Sequence, residues 1–243
     1  REYFSRSPRP AASLNQIAVR ETNARSMYRG MTLSTQYRRS RFQFAAFYTL
    51  SEAFSDDDNE RSAGGFSYSN PFDLRREYGY SELDYRHQFT ANSVYSLPLG
   101  LEVSGIFRTY SSRPVDPRAG SDLNNDGSNT DRALKSPGVL FERNSFRNRG
   151  IANVDMRILK SFKLWNETSK VQFSCEFFNL FNADNVVYGG SNLTYGPGVD
   201  TNGNVVAPNA NFRRLKLANG DYDPVNRQVG TPFQMQLGVR FFF

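Results

Sequence analysis

The sequence predicts an all-β chain: an antiparallel transmembrane β-barrel segment of about seven or eight strands, with short periplasmic turns and long extracellular loops. Three observations carry that prediction. Apolar and polar side chains alternate with period two in repeated runs along the 243 residues, as in strands whose two faces meet different surroundings. Short connections alternate with long ones. The chain is also polar on balance, with 38% apolar residues, yet 14% aromatic, which is too aromatic for a disordered chain.

Several classes fall away at once. The longest unbroken apolar run is Phe44 to Tyr48, far short of the ~20 residues of a membrane-spanning helix. A single Cys175 and a single His87 leave no internal disulfide and no cysteine-based zinc cluster. The formal net charge is +6, but the charges are interspersed and form no nucleic-acid motif, so no nucleic-acid partner is expected. No enzyme is expected either. Cys175 sits between Phe173 and Phe177 as a small hydrophobe, and His87 has no second ligand or nucleophile linked to it.

The strands read in order. Met31, Leu33, Thr35 and Tyr37 form the first apolar series, and Phe42, Phe44, Ala46, Tyr48 and Leu50 the second. Leu83, Tyr85, His87, Phe89 and Ala91 make the third; Leu101, Val103, Gly105 and Phe107 the fourth. Val154, Met156 and Ile158 follow, then Val171, Phe173, Cys175 and Phe177. The seventh series is Met235, Leu237, Val239, Phe241 and Phe243; a weaker eighth strand is expected near Leu14 to Thr22.

Arg38 to Arg41, Pro98 to Gly100 and Leu164 to Glu167 read as tight turns. Residues 52–81, 113–150 and 182–231 read as large loops, rich in Gly, Asn, Asp, Ser and Pro. Strands in lipid must pair every backbone polar group, so they close into a barrel with an apolar outside and a polar inside. Tyr37, Phe42, Tyr95, Trp165 and Phe243 fall near the short turns or the end of the last run, where they suit an aromatic girdle. A soluble β-sandwich also alternates, and the strand pattern alone leaves it open.

Candidate sites follow from charge and spacing. Asp84, Arg86, Glu102, Arg108, Asp155, Arg157, Glu176 and Arg240 lie on the polar face. An arginine on the lipid face costs about 2–4 kcal/mol near the midplane, so these are expected to line the lumen. Asp122, Asn124 and Asp126 followed by Gly127, with Asp131 nearby, put oxygens at alternate positions before a glycine. That pattern suits Ca²⁺. Position twelve is Ala133 rather than a bidentate Glu, and an Asx-rich turn is the alternative. The acidic run Asp56 to Asp58, and the loop carrying Tyr188 and Tyr195, each suit either ligand contact or a solvated loop.

The last run carries a further signal. Gln236, Gly238, Phe241 and Phe243 place a polar residue, a glycine and two aromatics in alternation up to the final residue. This resembles the β-signal read by the barrel-assembly machinery. More motifs resemble the barrel of TonB-dependent receptors, in particular the Oar-like group with a carboxypeptidase-regulatory-like domain. They are Tyr28-Arg-Gly-Met31, Tyr48-Thr-Leu-Ser51, Asn70-Pro-Phe-Asp73, Asp84-Tyr-Arg-His-Gln-Phe89 and Tyr95-Ser-Leu-Pro-Leu-Gly100. Asp122-Leu-Asn-Asn-Asp-Gly127, Asp131-Arg132, Arg143-Asn-Ser-Phe146, Val154-Asp-Met-Arg157 and Glu176-Phe-Phe-Asn-Leu-Phe-Asn182 follow in order.

The resemblance implies that residues 1–243 are the C-terminal part of a barrel of about 22 strands in the outer membrane of a Gram-negative bacterium. Signal peptide, N-terminal domain, TonB-contacting segment and plug are expected upstream of Arg1. The implied activity is binding of an extracellular ligand and its import with TonB-coupled energy. The implied partners are outer-membrane lipid, the assembly machinery and the TonB complex; the ligand stays unknown. A small stand-alone barrel with an adhesive or structural role is the alternative.

Overall fold

A computed structural model describes residues 22–58, 68–69, 73–124, 127, 129–164 and 169–243. Seven long strands dominate it: β1 Ser26–Arg39, β2 Phe42–Ser55, β3 His87–Leu97, β4 Leu101–Tyr110, β5 Ile151–Lys163, β6 Lys170–Phe178 and β7 Gln234–Phe242. They form one antiparallel meander in chain order, joined by the two-residue strand Gly79–Tyr80 beside β2. The sheet is open, with β1 and β7 at its edges. No described helix is long and apolar enough to cross a membrane.

All seven complete alternating runs appear as strands, and register joins their apolar series on one face. Leu33 pairs with Tyr48, Tyr48 with Phe89, and Ala91 with Phe107. Phe107 then pairs with Val154, Ile158 with Cys175, and Cys175 with Leu237. A slip of one residue anywhere would have moved a whole strand to the other face. The weak strand near Leu14 lies outside the described residues.

One boundary differs in kind. The third run was expected to begin at Leu83, whereas β3 begins at His87 and continues to Leu97. Asp84 causes the shift. Its amide N–H donates to the Ser81 carbonyl, and its buried carboxylate accepts the Ala53 N–H at 2.7 Å, so the chain turns instead of extending. At the other end Ser93 and Tyr95 pair with Gly105 and Val103; backbone pairing carries the strand past the point where a serine interrupts the apolar series.

The connections alternate as expected. Ser40 and Arg41 link β1 to β2, with Ser40 in the left-handed region (φ 34°). Pro98–Gly100 links β3 to β4, where both Leu99 (φ 63°) and Gly100 (φ 74°) are left-handed. A side chain on Gly100 would also meet the Ser161 carbonyl oxygen at 2.7 Å, so glycine is required there. The turn after β5 includes residues 165–168, which lie outside the described set, with Trp165 among them. Long loops occupy the opposite end, bounded by the strands as residues 56–86, 111–150 and 179–233.

Burial is inverted relative to a soluble protein. Apolar strand side chains are exposed at the edges of the sheet, with Leu237 72% and Phe241 60% accessible, and mostly half-buried on the inner strands. Met31, Leu33, Phe173, Met235 and Val239 are exposed alongside them. The largest fully buried side chains are instead Glu77, Asn192, Asp56, Asp84, Asp223 and Pro117, all in or beside the long loops. A sheet-wide apolar face is untenable in water and natural in lipid.

Candidate functional site

The long loops meet as one folded cap at the end of the sheet opposite the short turns. The first two loops are locked by buried charge. Arg132 and Glu77, 2% and 0% accessible at their side chains, form an ion pair, and Asp116 lies 3.2 Å from Arg132 Nε. Arg143 donates to Asp58 at 2.8 Å and to the carbonyls of Ser55 (3.0 Å) and Glu77 (3.2 Å). Asp58 also accepts from the Ser81 hydroxyl at 2.6 Å and the Glu82 N–H at 2.8 Å. Asn144 donates its side-chain amide to the Tyr80 carbonyl at 2.7 Å and its backbone N–H to the Asp116 carboxylate at 3.0 Å. Arg147 pairs with the Asp84 carboxylate. Buried charge survives only when it is paired in this way.

The third loop is fastened to the second by backbone and rings. Tyr195 N–H donates to the Arg118 carbonyl at 2.8 Å, and Leu134 N–H to Pro197 at 2.9 Å. A Cβ on Gly198 would lie 1.9 Å from the Leu134 carbonyl oxygen, so only glycine admits that approach. Phe141, Phe146, Tyr195 and Phe212 form an aromatic cluster with centroids 4.9–5.7 Å apart. The Tyr195 ring is therefore spent on internal packing, while Tyr188 stacks under the Arg213 guanidinium at 5.7 Å.

Within the third loop, Asn192 is fully buried and donates to the Arg214 carbonyl and Asn226. The Asn192 amide, the Val225 N–H at 3.0 Å and the Arg214 guanidinium at 2.7 Å hold the Asp223 carboxyl below its ordinary value. A depressed carboxylate contributes stability above its unfolded-state pKa and loses it as pH falls through the folded one. We expect protection of residues 211–226 against hydrogen exchange, corrected for intrinsic rate, to fall below the ordinary carboxylate range near pH 4. Asp223→Asn should lack that acid-linked drop; a drop of equal size in the variant would assign it elsewhere.

Three of the four expected calcium residues make hydrogen bonds within the loops. Asp131 is buried and accepts the N–H groups of Leu123 (2.6 Å) and Asn124 (3.1 Å). Asn124 donates to the Ser69 carbonyl at 3.3 Å, and Asp122 accepts from Gly127 at 2.9 Å. Asp126 lies outside the described residues. Among the described residues no three metal-capable side chains gather. In the acidic run, Asp56 accepts the Arg25 N–H at 2.6 Å and pairs with its guanidinium.

Register puts Glu102, Arg108, Asp155, Arg157, Glu176 and Arg240 on the face opposite the apolar series. There Arg157 pairs with Glu176 at 3.2 Å and Arg108 with Asp155 at 3.8 Å. Asp84 and Arg86 belong to the cap, before β3 begins; Arg86 pairs with Glu52 and its guanidinium bonds Tyr80 Oη at 3.0 Å. His87 stays on the apolar face, its Nδ1 2.8 Å from Tyr48 Oη.

Gln236 and Gly238 lie on the polar face of β7 and Phe241 on the apolar one. Gly238 approaches Ser174 so closely that a Cβ would meet Oγ at 2.6 Å. Phe243 follows the strand fully exposed.

Glu77, Asp116, Arg132, Arg143 and Arg147 were not expected as a unit. Their partners lie far away in sequence, 55 residues for Glu77–Arg132 and 88 for the Arg143–Ser55 bond.

A family model described as an outer membrane beta barrel domain matches residues 3–140 and 139–216. No curated protein and no solved structure matches.

Proposed function

Because the chain belongs to the outer membrane beta barrel domain family and resides in the outer membrane, we propose that it is the C-terminal barrel portion of a TonB-dependent, Oar-like receptor. In this reading it binds a ligand outside the cell and takes part in its TonB-coupled import. It carries no catalytic step. Outer-membrane lipid meets the apolar face, and the assembly machinery reads β7.

One observation carries the proposal. The motifs that resemble the receptor group supply the anchors of the cap. Asp84 holds Arg147, Arg132 holds Glu77, and Arg143 holds Asp58. From the same motifs, Asn144 grips Tyr80, Phe146 joins the aromatic cluster, and Asn179 accepts Ala183 N–H at 2.8 Å and donates to Thr231 at 3.0 Å. A receptor needs a fixed outer surface, and binding groups sit on loops positioned by a rigid scaffold.

The polar face then lines the lumen. Its paired charges, Arg108–Asp155 and Arg157–Glu176, form a neutralised wall suited to contact with a plug. The open edges of β1 and β7 require partner strands in lipid, which a larger barrel supplies.

The coding sequence upstream of Arg1 tests this reading. An in-frame plug and signal peptide, with co-purification of the full-length protein and the periplasmic domain of TonB, is the expected result. A start codon and signal peptide immediately before Arg1 would overturn it and favour a small barrel with an adhesive or structural role.

A further inference from the structure

We infer that the β1–β2 turn carries a binding site for an anionic phospholipid headgroup in the leaflet at the short-turn side. A shallow cleft of about 360 Å³ is lined there by Tyr37, Arg39, Ser40, Arg41, Phe42 and Tyr95. The inference does not depend on the import reading. It needs only the family's membrane setting and the orientation of one sheet face.

Register supplies the orientation. Tyr37 pairs with Phe44 and Arg39 with Phe42, while Phe42 pairs with Tyr95. All lie on the face that carries Met31, Leu33 and Leu50, the face that meets lipid. Arg41 stands in the turn itself, beside Phe42. The cleft is therefore at the rim of the apolar band, at headgroup depth.

Its chemistry is divided as a phospholipid is divided. Phe42 is the centre of an aromatic platform, with its ring 6.0 Å from Tyr37, 6.0 Å from Tyr95 and 6.4 Å from Phe44. Rings with one apolar and one polar end settle where acyl chain gives way to headgroup. Arg39 and Arg41 are exposed, and among the described residues no carboxylate pairs with either. A guanidinium fork matches two phosphate oxygens. Two cations facing one phosphodiester leave room for a further negative charge. The ammonium of a zwitterionic headgroup has no carboxylate in the cleft to receive it, so an anionic lipid is selected.

The test uses the full-length protein extracted in mild detergent, loaded with phosphatidylglycerol or phosphatidylethanolamine, and read by native mass spectrometry. Wild type should hold one phosphatidylglycerol and release phosphatidylethanolamine readily. Arg39→Gln with Arg41→Gln should retain phosphatidylglycerol about thirty-fold less well, from the loss of two near-surface cations. Arg38→Gln, on the opposite face and paired across from Gln43, should match wild type. Excess inorganic phosphate should not displace the lipid, because the aromatic platform holds the glycerol end.

Heat-modifiable mobility on gels checks that each barrel is folded. If the double variant fails that check, Arg41→Gln alone, outside any strand, should show about a five-fold loss. Equal retention of phosphatidylglycerol by wild type and the folded variant overturns the inference. So does equal retention of the two lipids by wild type. Displacement by phosphate would make the cleft a phosphate site and overturn it equally.

Discussion

Replacing Leu237 with arginine should deplete the protein from the outer membrane far more than the same replacement at its neighbour Gln236. The two residues lie at the same depth of β7 and point to opposite faces. Leu237 is 72% accessible, pairs with Cys175 and shares its face with Met235, Val239 and Phe241. Gln236 pairs with Glu176, where a new arginine gains a carboxylate partner. Arginine on the lipid face costs about 2–4 kcal/mol near the midplane and little in a watery interior. Quantifying the full-length protein in outer-membrane fractions checks this, with at least a ten-fold difference expected between the variants. Equal levels would mean that the face assignment is wrong, and a reversed order that the two faces have been exchanged.

Arg132→Met should open the cap without dissolving the sheet. Its guanidinium compensates Glu77, whose side chain is fully buried, and removing one partner of a buried pair costs about 3–5 kcal/mol. The strands do not use this pair, so the loss is confined to the loops. Protease added to intact cells should cut the chain around residues 73–86 much faster than in wild type, while heat-modifiable mobility is kept. Adding Glu77→Gln removes the stranded charge and should restore part of the resistance. Arg75→Ala is the control, since Arg75 pairs with Asp73 at an 86% exposed side chain and such pairs contribute about 0–1 kcal/mol. A variant at Arg132 as resistant as wild type would show that the cap is held by its aromatic cluster and backbone bonds instead.

These expectations drew differently on the sequence. The choice between Leu237 and Gln236 could be made from alternation alone, and the structure keeps it: Leu237 and Gln236 fall on the faces their parity assigns. Strand boundaries were less legible. Lys160 looks like the end of an apolar series, yet it pairs with both Leu101 and Phe173 inside β5, because a ladder is held by its backbone and tolerates one charged side chain near the membrane rim. Leu83 looked like the start of a strand and lies 62% exposed in a turn, because the Asp84 carboxylate was recruited by Ala53 and Arg147.

The candidate site divides along the same line. Asp122, Asn124 and Asp131 stood out as a cation loop by their spacing, and the structure engages them with the N–H groups of Leu123, Asn124 and Gly127 and the Ser69 carbonyl. Tyr195 read equally well as a ligand contact; its ring lies in the aromatic cluster with Phe141 and Phe212. Neither result could be read from neighbours in the chain, because the deciding partners arrive from other loops.

The class, the seven main strands, their lipid-facing side and the alternation of short turns with long loops are all legible along the chain. These depend on a period of two and on local turn chemistry, which are written in adjacent residues. Tertiary contacts alone show that the loops form one cap, that its core is the Glu77–Arg132 pair with Arg143 and Asp58, and that Asp84 turns the chain ahead of β3. Those outcomes depend on charges separated by as many as 85 residues meeting where water is excluded. Charge pairing acts through space and leaves no periodicity in the chain, whereas the demand of a lipid face for apolar side chains recurs at every second residue.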